Sequence, residues 1–531
     1  MPRPDPERVA VYRREGLWLD ASLAETFLAT AAARDRATVL VETERTLTFR
    51  ELAACVRRCA GGLEARGVRP GDAVAYRLPN WWEAAVTLLA TTAIGARSVP
   101  IVPILRAREV GQILCETAPR LVVTAGAQRG VDAETLFNEA FERAGVSAPL
   151  FFARSASGES FADLLDSEPI EDLPALDPDA DAVLIYTSGS TAAPKGARHS
   201  HRTLHAELRS LVAAHGLGPD DRVLMPSPLT HISGVIHGIL APALLGTSAV
   251  LMDRWEPAAA ITAIEHHRVT YLIGAPTFLQ EMLARPEVDA ADLSSLRLYA
   301  CGGASVPAEL MRAGRAKIPN LVTKRSYGSS EFPTIATTTA ADAIPRGLDT
   351  EGRPLAGVEV RICDPAGATL PSGQEGEIRA RGPDCFLGYV DAALDAETFD
   401  ADGFLCTGDL GILDADGYLR VTGRVKDIIV RKGEKISARE VEDLLAEHPG
   451  IAEVAVIPLP DPATGERACA CVRLAPGSVA PTLADVVDHL RRRDLTPQKL
   501  PEQLEIVADF PRTPSGKIHK RLLREEIERR G

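Results

Sequence analysis

The sequence predicts an α/β protein: a large N-terminal domain of layered α/β sheets with a β-rich subdomain, followed by a small α+β C-terminal domain. Three observations carry that expectation. Helical stretches such as TFRELAACVRRCAGGLEARG alternate with short apolar runs, among them AVAYRLP, RLVVTA, AVLIYTSG, RVLMPSP, SAVLMD and TYLIGAP, and strand-helix alternation favours mostly parallel sheets. From about Glu375 the texture changes to EGEIRARG and GFLCTGDLGILDADGYLRVTGR, short strands between Gly and Asp turns, which fits an antiparallel unit. After TGRVKD a third texture begins, and the boundary is placed at Arg424 to Asp427, so that the large domain spans 1–425, its β-rich part about 350–425, and the small domain 426–531.

Taken in order, the most apolar long stretch, GVIHGILAPALLGTSAVLM from Gly234 to Met252, is interrupted by His237, Pro242 and Gly246. It reads as a buried helix, a glycine stop and a strand rather than a membrane span. The acidic stretch from Ser155 to Asp181 contains no lysine or arginine and reads as a solvated loop. Ser437 and Glu440 have the spacing of a capping box at the start of a helix in the small domain. The strands AEVAVIPLP, ACACVRLA and EQLEIVAD and the helix LADVVDHLRRR complete that domain, with Cys469 and Cys471 on one face of their strand.

Composition narrows the class. Apolar residues at 45% and charged residues at 25% are ordinary for a globular chain. A net charge of −14 and a pI near 5.4 argue against a nucleic-acid surface. The start, MPRPDPERVAVYRREG, has no apolar signal core, and nine scattered cysteines, an odd number, fit reduced thiols. The expectation is a cytoplasmic enzyme.

The stretch YTSGSTAAPKGARHSH, Tyr186 to His201, runs from an apolar strand into a turn of small and hydroxyl-bearing residues that ends at Lys195 and Gly196, ahead of the helix-like HRTLHAELRSLVAAHG. Backbone amides and hydroxyls can converge there on an anion, and the lysine adds a point charge. The glycine that precedes the lysine of a Walker loop is missing. His201 and His205, four residues apart, lack a third ligand and read as surface residues rather than a metal pair.

Four further stretches follow in order: YGSSE at 327–331, TGDLG at 407–411, GRVKDIIVRKGEKIS at 423–437 and PRTPSGKIHKR at 511–521. Together with TSGSTAAPKG they resemble the core motifs of the adenylate-forming superfamily, which contains acyl-CoA synthetases, peptide-synthetase adenylation domains and luciferases. The wording of LPNWWEAAVTLLA and GAPTFLQEML is most similar to the cyclohexanecarboxylate and medium-chain acyl-CoA ligase branch. The resemblance covers nearly the whole chain. It implies an acid-thiol ligase that uses ATP, Mg²⁺ and coenzyme A: a carboxylate attacks the α-phosphorus of ATP, pyrophosphate leaves, and a thiol then attacks the acyl-adenylate.

By that resemblance Thr187, Ser188, Gly189, Ser190, Thr191 and Lys195 hold the β- and γ-phosphates, and Gly303, Tyr327, Gly328, Ser329 and Ser330 face the adenylate, with Ser330 at the α-phosphate. Glu331 holds Mg²⁺. Asp409 accepts from the ribose hydroxyls and Arg424 backs it. Lys517 is the mobile catalytic lysine, an ammonium able to bridge the carboxylate and the α-phosphate. Lys426 is the hinge about which the small domain turns, and Lys432 and Gly433 line the pantetheine channel in the turned state. His231, Gly302, Gly303 and Ala304 line the acyl pocket. The region SPLTHISGVIHG offers no carboxylate for a substrate ammonium, so a non-amino carboxylic acid, with room for a bulky alicyclic one, is expected, and the absence of a long insertion favours CoA.

Ala192 stands where the resembling families carry glycine, and Ser330 where they carry threonine. If position 192 requires a left-handed backbone, alanine costs roughly 1–2 kcal/mol and slows adenylation alone. That leaves open an enzyme that forms thioesters from an acyl-adenylate supplied by a partner adenylating enzyme, or one that loads a carrier protein. A homodimer is also left open.

Overall fold

The computed structural model describes residues 6–128, 130–154, 159–187, 194–303, 306–339, 342, 346–431, 434–462, 464–513 and 517–530. Two sheets dominate the large domain. One has seven strands, in the order Lys195–Ser200, Asp181–Thr187, Arg97–Pro100, Ala73–Arg77, Leu121–Ala125, Leu150–Ala153 and Glu159–Ser160. The other has nine, with Arg222–Met225, Tyr271–Gly274 and Leu298–Gly302 at its centre. Both are parallel in their interiors and take antiparallel strands only at their edges. The apolar runs read from sequence are the buried strands of these sheets, as full burial on both faces requires.

The helices Leu23–Ala33, Phe49–Ala65 and Trp82–Ala93 share one apolar core with strands of both sheets. Trp82–Ala93 is buried on every side. Gly234–Met252 is the helix-glycine-strand unit expected: a helical run through Leu245 containing a π-helical segment, Val235–Leu240, then Gly246 as a left-handed cap and the strand Ser248–Leu251. Among the described residues no helix is long and apolar enough to cross a membrane. All nine cysteines are free thiols, and Cys469 and Cys471 do share a face, their sulfurs 3.9 Å apart.

A four-stranded antiparallel sheet, Glu359–Cys363, Glu375–Arg381, Leu405–Leu413 and Leu419–Arg424, follows. A 3-10 turn, Val425–Asp427, leads to the last sheet, built on the long pair Ile451–Asp461 and Gly465–Leu474 with Gln503–Ile506 running parallel to the second. Its two faces carry separate apolar clusters, one under Ala438–Leu445 and Leu483–Arg491, the other under Lys520–Glu528.

Three sequence expectations need correction. The acidic stretch is not a plain solvated loop. Phe161–Leu165 is a helix whose Phe161 and Leu164 are buried, and Arg57 donates to the Ile170 and Glu171 carbonyls. Two glycines of the Phe49–Ala65 helix let it come so close: a Cβ on Gly61 or Gly62 would overlap the backbone of this segment. His201 and His205 are buried rather than on the surface, because the His201–His215 helix is covered by Leu23–Ala33. His201 Nδ1 accepts from the Leu23 amide, and His205 contacts the Thr26 hydroxyl at 3.3 Å. Among the described residues no group of three potential metal ligands forms. The capping box is half made: Ser437 accepts from the Glu440 amide, but the Glu440 carboxylate is taken by Lys499.

Candidate active site

The strands that flank the TSGSTAAPKG stretch pair with each other. Asp181–Thr187 pairs antiparallel with Lys195–Ser200, with Thr187 opposite Lys195, and only then does the His201–His215 helix begin. A strand therefore intervenes between the loop and the helix. Ser188, Gly189, Ser190, Thr191 and Ala192 lie outside the described residues. Gly196 is wedged against the Tyr186 ring and Val390, where a Cβ would lie 2.7–2.9 Å from them. The Tyr186 hydroxyl donates to Glu116. Lys195 places its ammonium 5.4 Å from the centre of the Tyr389 ring.

Tyr389 ties that hairpin to the YGSSE turn. Its hydroxyl donates to Glu331 Oε1 at 2.8 Å, and no other hydrogen bond to this carboxylate occurs among the described residues. Gly328 and Ser329 form the turn after Val322–Tyr327, and the Ser329 hydroxyl accepts from the amides of Glu331 and Phe332. Ser330 is buried, and its carbonyl meets His199 Nε2 at 2.7 Å. His199 thus braces the turn from the hairpin's second strand. Neither Tyr389 nor His199 was singled out from sequence. Most of GARHS is buried without alternation, so the sequence pattern held no signal for what His199 meets.

At the other end of the site, Asp409 and Arg424 are cross-strand partners in the antiparallel sheet. Arg424 Nε donates to Asp409 Oδ1, and the Tyr327 hydroxyl donates to Oδ2, both at 2.8 Å. Burial, and then the Asp409 charge, push the Tyr327 phenol far up, so it stays a donor. This places a carboxylate at the rim with its orientation fixed from both sides.

Lys517 reaches this site from the small domain. Its backbone is held by a reciprocal contact with Thr513, and its side chain lies across Gly303, where an added Cβ would come within 3.1 Å of Lys517 Cε. Gly303 also has φ of +80°, so a side chain there would be strained by its backbone as well as crowding the lysine. Gly302, the last residue of its strand, has no room either, since a Cβ would meet the Ser326 carbonyl. Ala304 lies outside the described residues. Burial lowers the Lys517 ammonium to about 8, with Arg424 adding to the effect while Asp409 and Glu331 oppose it. Its electrostatic neighbours are therefore the groups that sequence reading assigned to ribose and metal.

His231 caps the helix that follows it. Its Nδ1 accepts from the Ser233 amide and lies 2.9 Å from the Ser233 hydroxyl, which puts the imidazole proton on Nε2. Burial, with Lys517 adding to it, pushes His231 down to about 4, so the ring is neutral. The structure thus brings together Lys195, Glu331, Asp409, Arg424, Tyr327, Gly303, His231 and Lys517. Lys426 lies in the exposed 3-10 turn between the domains' sheets, and Lys432 and Gly433 lie outside the described residues.

Comparison with known proteins agrees. The family of AMP-binding enzymes matches residues 27–390, and the C-terminal domain of AMP-binding enzymes matches 440–517. The chain is 37% identical to the medium-chain fatty-acid–CoA ligase of Escherichia coli (strain K12), covering 99% of this chain and 94% of that protein. To the feruloyl-CoA synthase of an Amycolatopsis species it is 36% identical, over 91% of this chain and 94% of that one. Two crystal structures of MatB from Rhodopseudomonas palustris, each 28% identical, give a further contrast. The ATP-bound form superposes with a TM-score of 0.86, covering 95% of this chain and 99% of that one, and the apo form with 0.77, covering 96% and 99%. With five ordered motifs, the layered fold and matches across nearly its whole length, the chain belongs to the AMP-binding enzymes, the adenylate-forming superfamily, among its acyl-CoA ligases.

Proposed function

We propose that the protein activates a non-amino carboxylic acid of medium-chain or alicyclic type as its acyl-adenylate and transfers the acyl group to coenzyme A, and that the closed arrangement is the adenylating conformer. The observation that carries this reading is Lys517 lying over Gly303 within reach of the Asp409, Arg424 and Glu331 charges. The higher similarity to ATP-bound than to apo MatB supports it.

In the first half-reaction a substrate carboxylate oxygen attacks the α-phosphorus and pyrophosphate leaves. Asp409 receives the ribose hydroxyls, and Arg424 and Tyr327 keep that carboxylate aimed. Lys195 and the 188–194 segment hold the β- and γ-phosphates, and Ser330 the α-phosphate. Lys517, as a cation, spans carboxylate and phosphate while charge develops between them. Glu331, with one oxygen on Tyr389 and the other uncommitted among the described residues, suits a hard cation and would hold Mg²⁺, which when bound supplies positive charge to the phosphates. The neutral His231 and the bare edge of Gly302 and Gly303 present no charge to the acyl group, which favours an apolar acid.

In the second half-reaction the CoA thiolate attacks the acyl carbon and AMP leaves. Lys517 is not needed for that step. The division into 1–425 and 426–531, with Lys426 as hinge, lets one domain withdraw Lys517 and present Lys432 and Gly433 to pantetheine. The test is mass spectrometry of products from a carboxylic-acid panel with ATP, Mg²⁺ and CoA. Failure to form any acyl-CoA would reject the reading, and a holo-carrier protein in a parallel arm checks the acceptor. Pyrophosphate exchange on the wild type beside Ala192→Gly separates a full ligase, whose exchange is brisk and unchanged by glycine, from an enzyme dependent on adenylate made by a partner.

A further inference from the structure

Among the described residues, three side-chain hydrogen bonds fasten the small domain in this closed position besides the approach of Lys517. Gln280 donates to the Ala452 carbonyl, Ser437 donates to the Thr422 carbonyl at 2.6 Å, and Arg439 Nη2 donates to Glu351 Oε1 at 3.0 Å. The third is the one built from charges. Glu351 and Arg439 lie on opposite sides of the proposed hinge, at 7% and 18% side-chain exposure.

Glu351 does not depend on Arg439 to remain satisfied. Its Oε2 accepts from the Val421 amide at 2.8 Å, and Arg325 Nη1 stands 3.7 Å from Oε1. Arg325 is itself anchored in the large domain by donating to the Val306 carbonyl. A buried carboxylate stripped of all partners would be costly, but here one guanidinium stays when the other leaves. On the small-domain side, Asp443 lies 3.6 Å from Arg439 one helical turn on, so the departing arginine also keeps a counter-charge. Both halves are thus equipped to make and break the pair, unlike an ion pair built only to hold a fold.

The pair also sits on the elements that carry the ribose group. Arg325 is two residues from Tyr327 in the strand Val322–Tyr327, and Val421 is three residues from Arg424 in Leu419–Arg424. Tyr327 and Arg424 are the two partners of Asp409. Arg439 belongs to the same apolar unit of the small domain as the sheet from which the Lys517 segment extends, so a rotation that withdraws Lys517 from Gly303 takes Arg439 away from Glu351.

We propose that Arg439 is a positioning residue that, by pairing with Glu351 across the hinge beside a waiting Arg325, holds Lys517 in the site and sets how the enzyme divides its time between adenylation and thioester formation. The proposal rests on the two-conformer reading above.

The test has two arms. In the first, spin labels carried by a ketone-bearing unnatural residue replace the exposed Glu309 and Val479, one in each domain, so that the native thiols do not interfere. Distances are measured without nucleotide and with ATP. Arg439→Met and Glu351→Gln should each reduce the closed population, Arg439→Lys should restore part of it, and the Met/Gln double variant should be no more open than either single one. Distributions that coincide with wild type overturn the proposal. In the second arm, Arg439→Met should lower pyrophosphate exchange about tenfold while leaving thioester formation from supplied acyl-adenylate unchanged or faster. Equal loss in both half-reactions also overturns it. A wild type that forms no acyl-CoA, yet opens on Arg439→Met, would reject the ligase reading and leave the latch standing.

Discussion

The two ends of the active site hold their charges in opposite ways. At the end proposed for the ribose, Asp409 has an arginine and a tyrosine donating to its two oxygens, all three from the large domain. At the end proposed for the reaction, Lys517 arrives from the other domain, has its ammonium depressed by burial, and lies over a glycine. A group that only binds can be locked by its neighbours. A group that, in the role proposed for Lys517, acts in one step and is absent from the next is suited by having no fixed partner for its ammonium among the described residues.

The largest break in that comparison is Lys517→Ala. It should lower pyrophosphate exchange by about 10²–10³-fold, the scale for removing one preorganised donor to developing charge, and leave thioester formation from synthetic acyl-adenylate close to wild type. Asp409→Ala should act on the other end, raising the KM for ATP about tenfold to a hundredfold, the loss of charge-assisted hydrogen bonds to two hydroxyls, as measured by exchange at varied ATP.

The third prediction uses pH. Lys517 must be cationic to act, and its value is lowered to about 8. The kcat/KM for ATP reports the free enzyme, so it should fall as pH rises through about 8, losing about tenfold per unit above it. Lys517→Arg, which keeps its charge, should remove this limb even though it lowers the rate. A flat wild-type profile to pH 10 would mean that the lysine stays charged there.

How much of this was legible beforehand follows from what each residue answers to. The residues proposed to face the nucleotide, Lys195, Glu331, Asp409, Arg424 and Lys517, stood out in the sequence because they are charges at fixed places in ordered motifs, and the structure brings them to one place. The strands were legible from apolar runs. What was missed answers to neighbours far away in sequence. Tyr389 is 58 residues from the Glu331 it serves, and His199 is 131 from Ser330. His201 and His205 read as surface because their cover comes from residues 178 and 179 positions earlier. The Arg439–Glu351 pair spans 88 residues and belongs to no motif.

The smallest predicted effect lies behind the site and bears on stability rather than catalysis. Glu207 and Asp384 are neighbouring, fully buried carboxyls. Thr334 donates to Glu207 Oε1, and among the described residues neither Asp384 oxygen nor Glu207 Oε2 meets another donor. Burial raises both above the ordinary carboxylate range, and a proton held by one of the two would supply the missing donor. A raised value in the folded state gives stability that is complete below the unfolded carboxylate pKa, about 4, and is lost as pH climbs toward the folded value. Asp384→Asn supplies a permanent donor. It should gain about 1–3 kcal/mol in urea unfolding at pH 8 and little or nothing at pH 4. Equal shifts at both pH values would mean that no such proton is held.

The pairing of the two strands that flank residues 188–194 separates that stretch from the helix that follows. In a loop that opens directly into a helix, a change of length or conformation rotates the helix and everything packed on it. Here the ends of the 188–194 segment are fixed by the pairing of Thr187 with Lys195, and the helix starts only after a further strand has been seated in the sheet. The helix therefore takes its position from the seated strand Lys195–Ser200 and not directly from the segment before it.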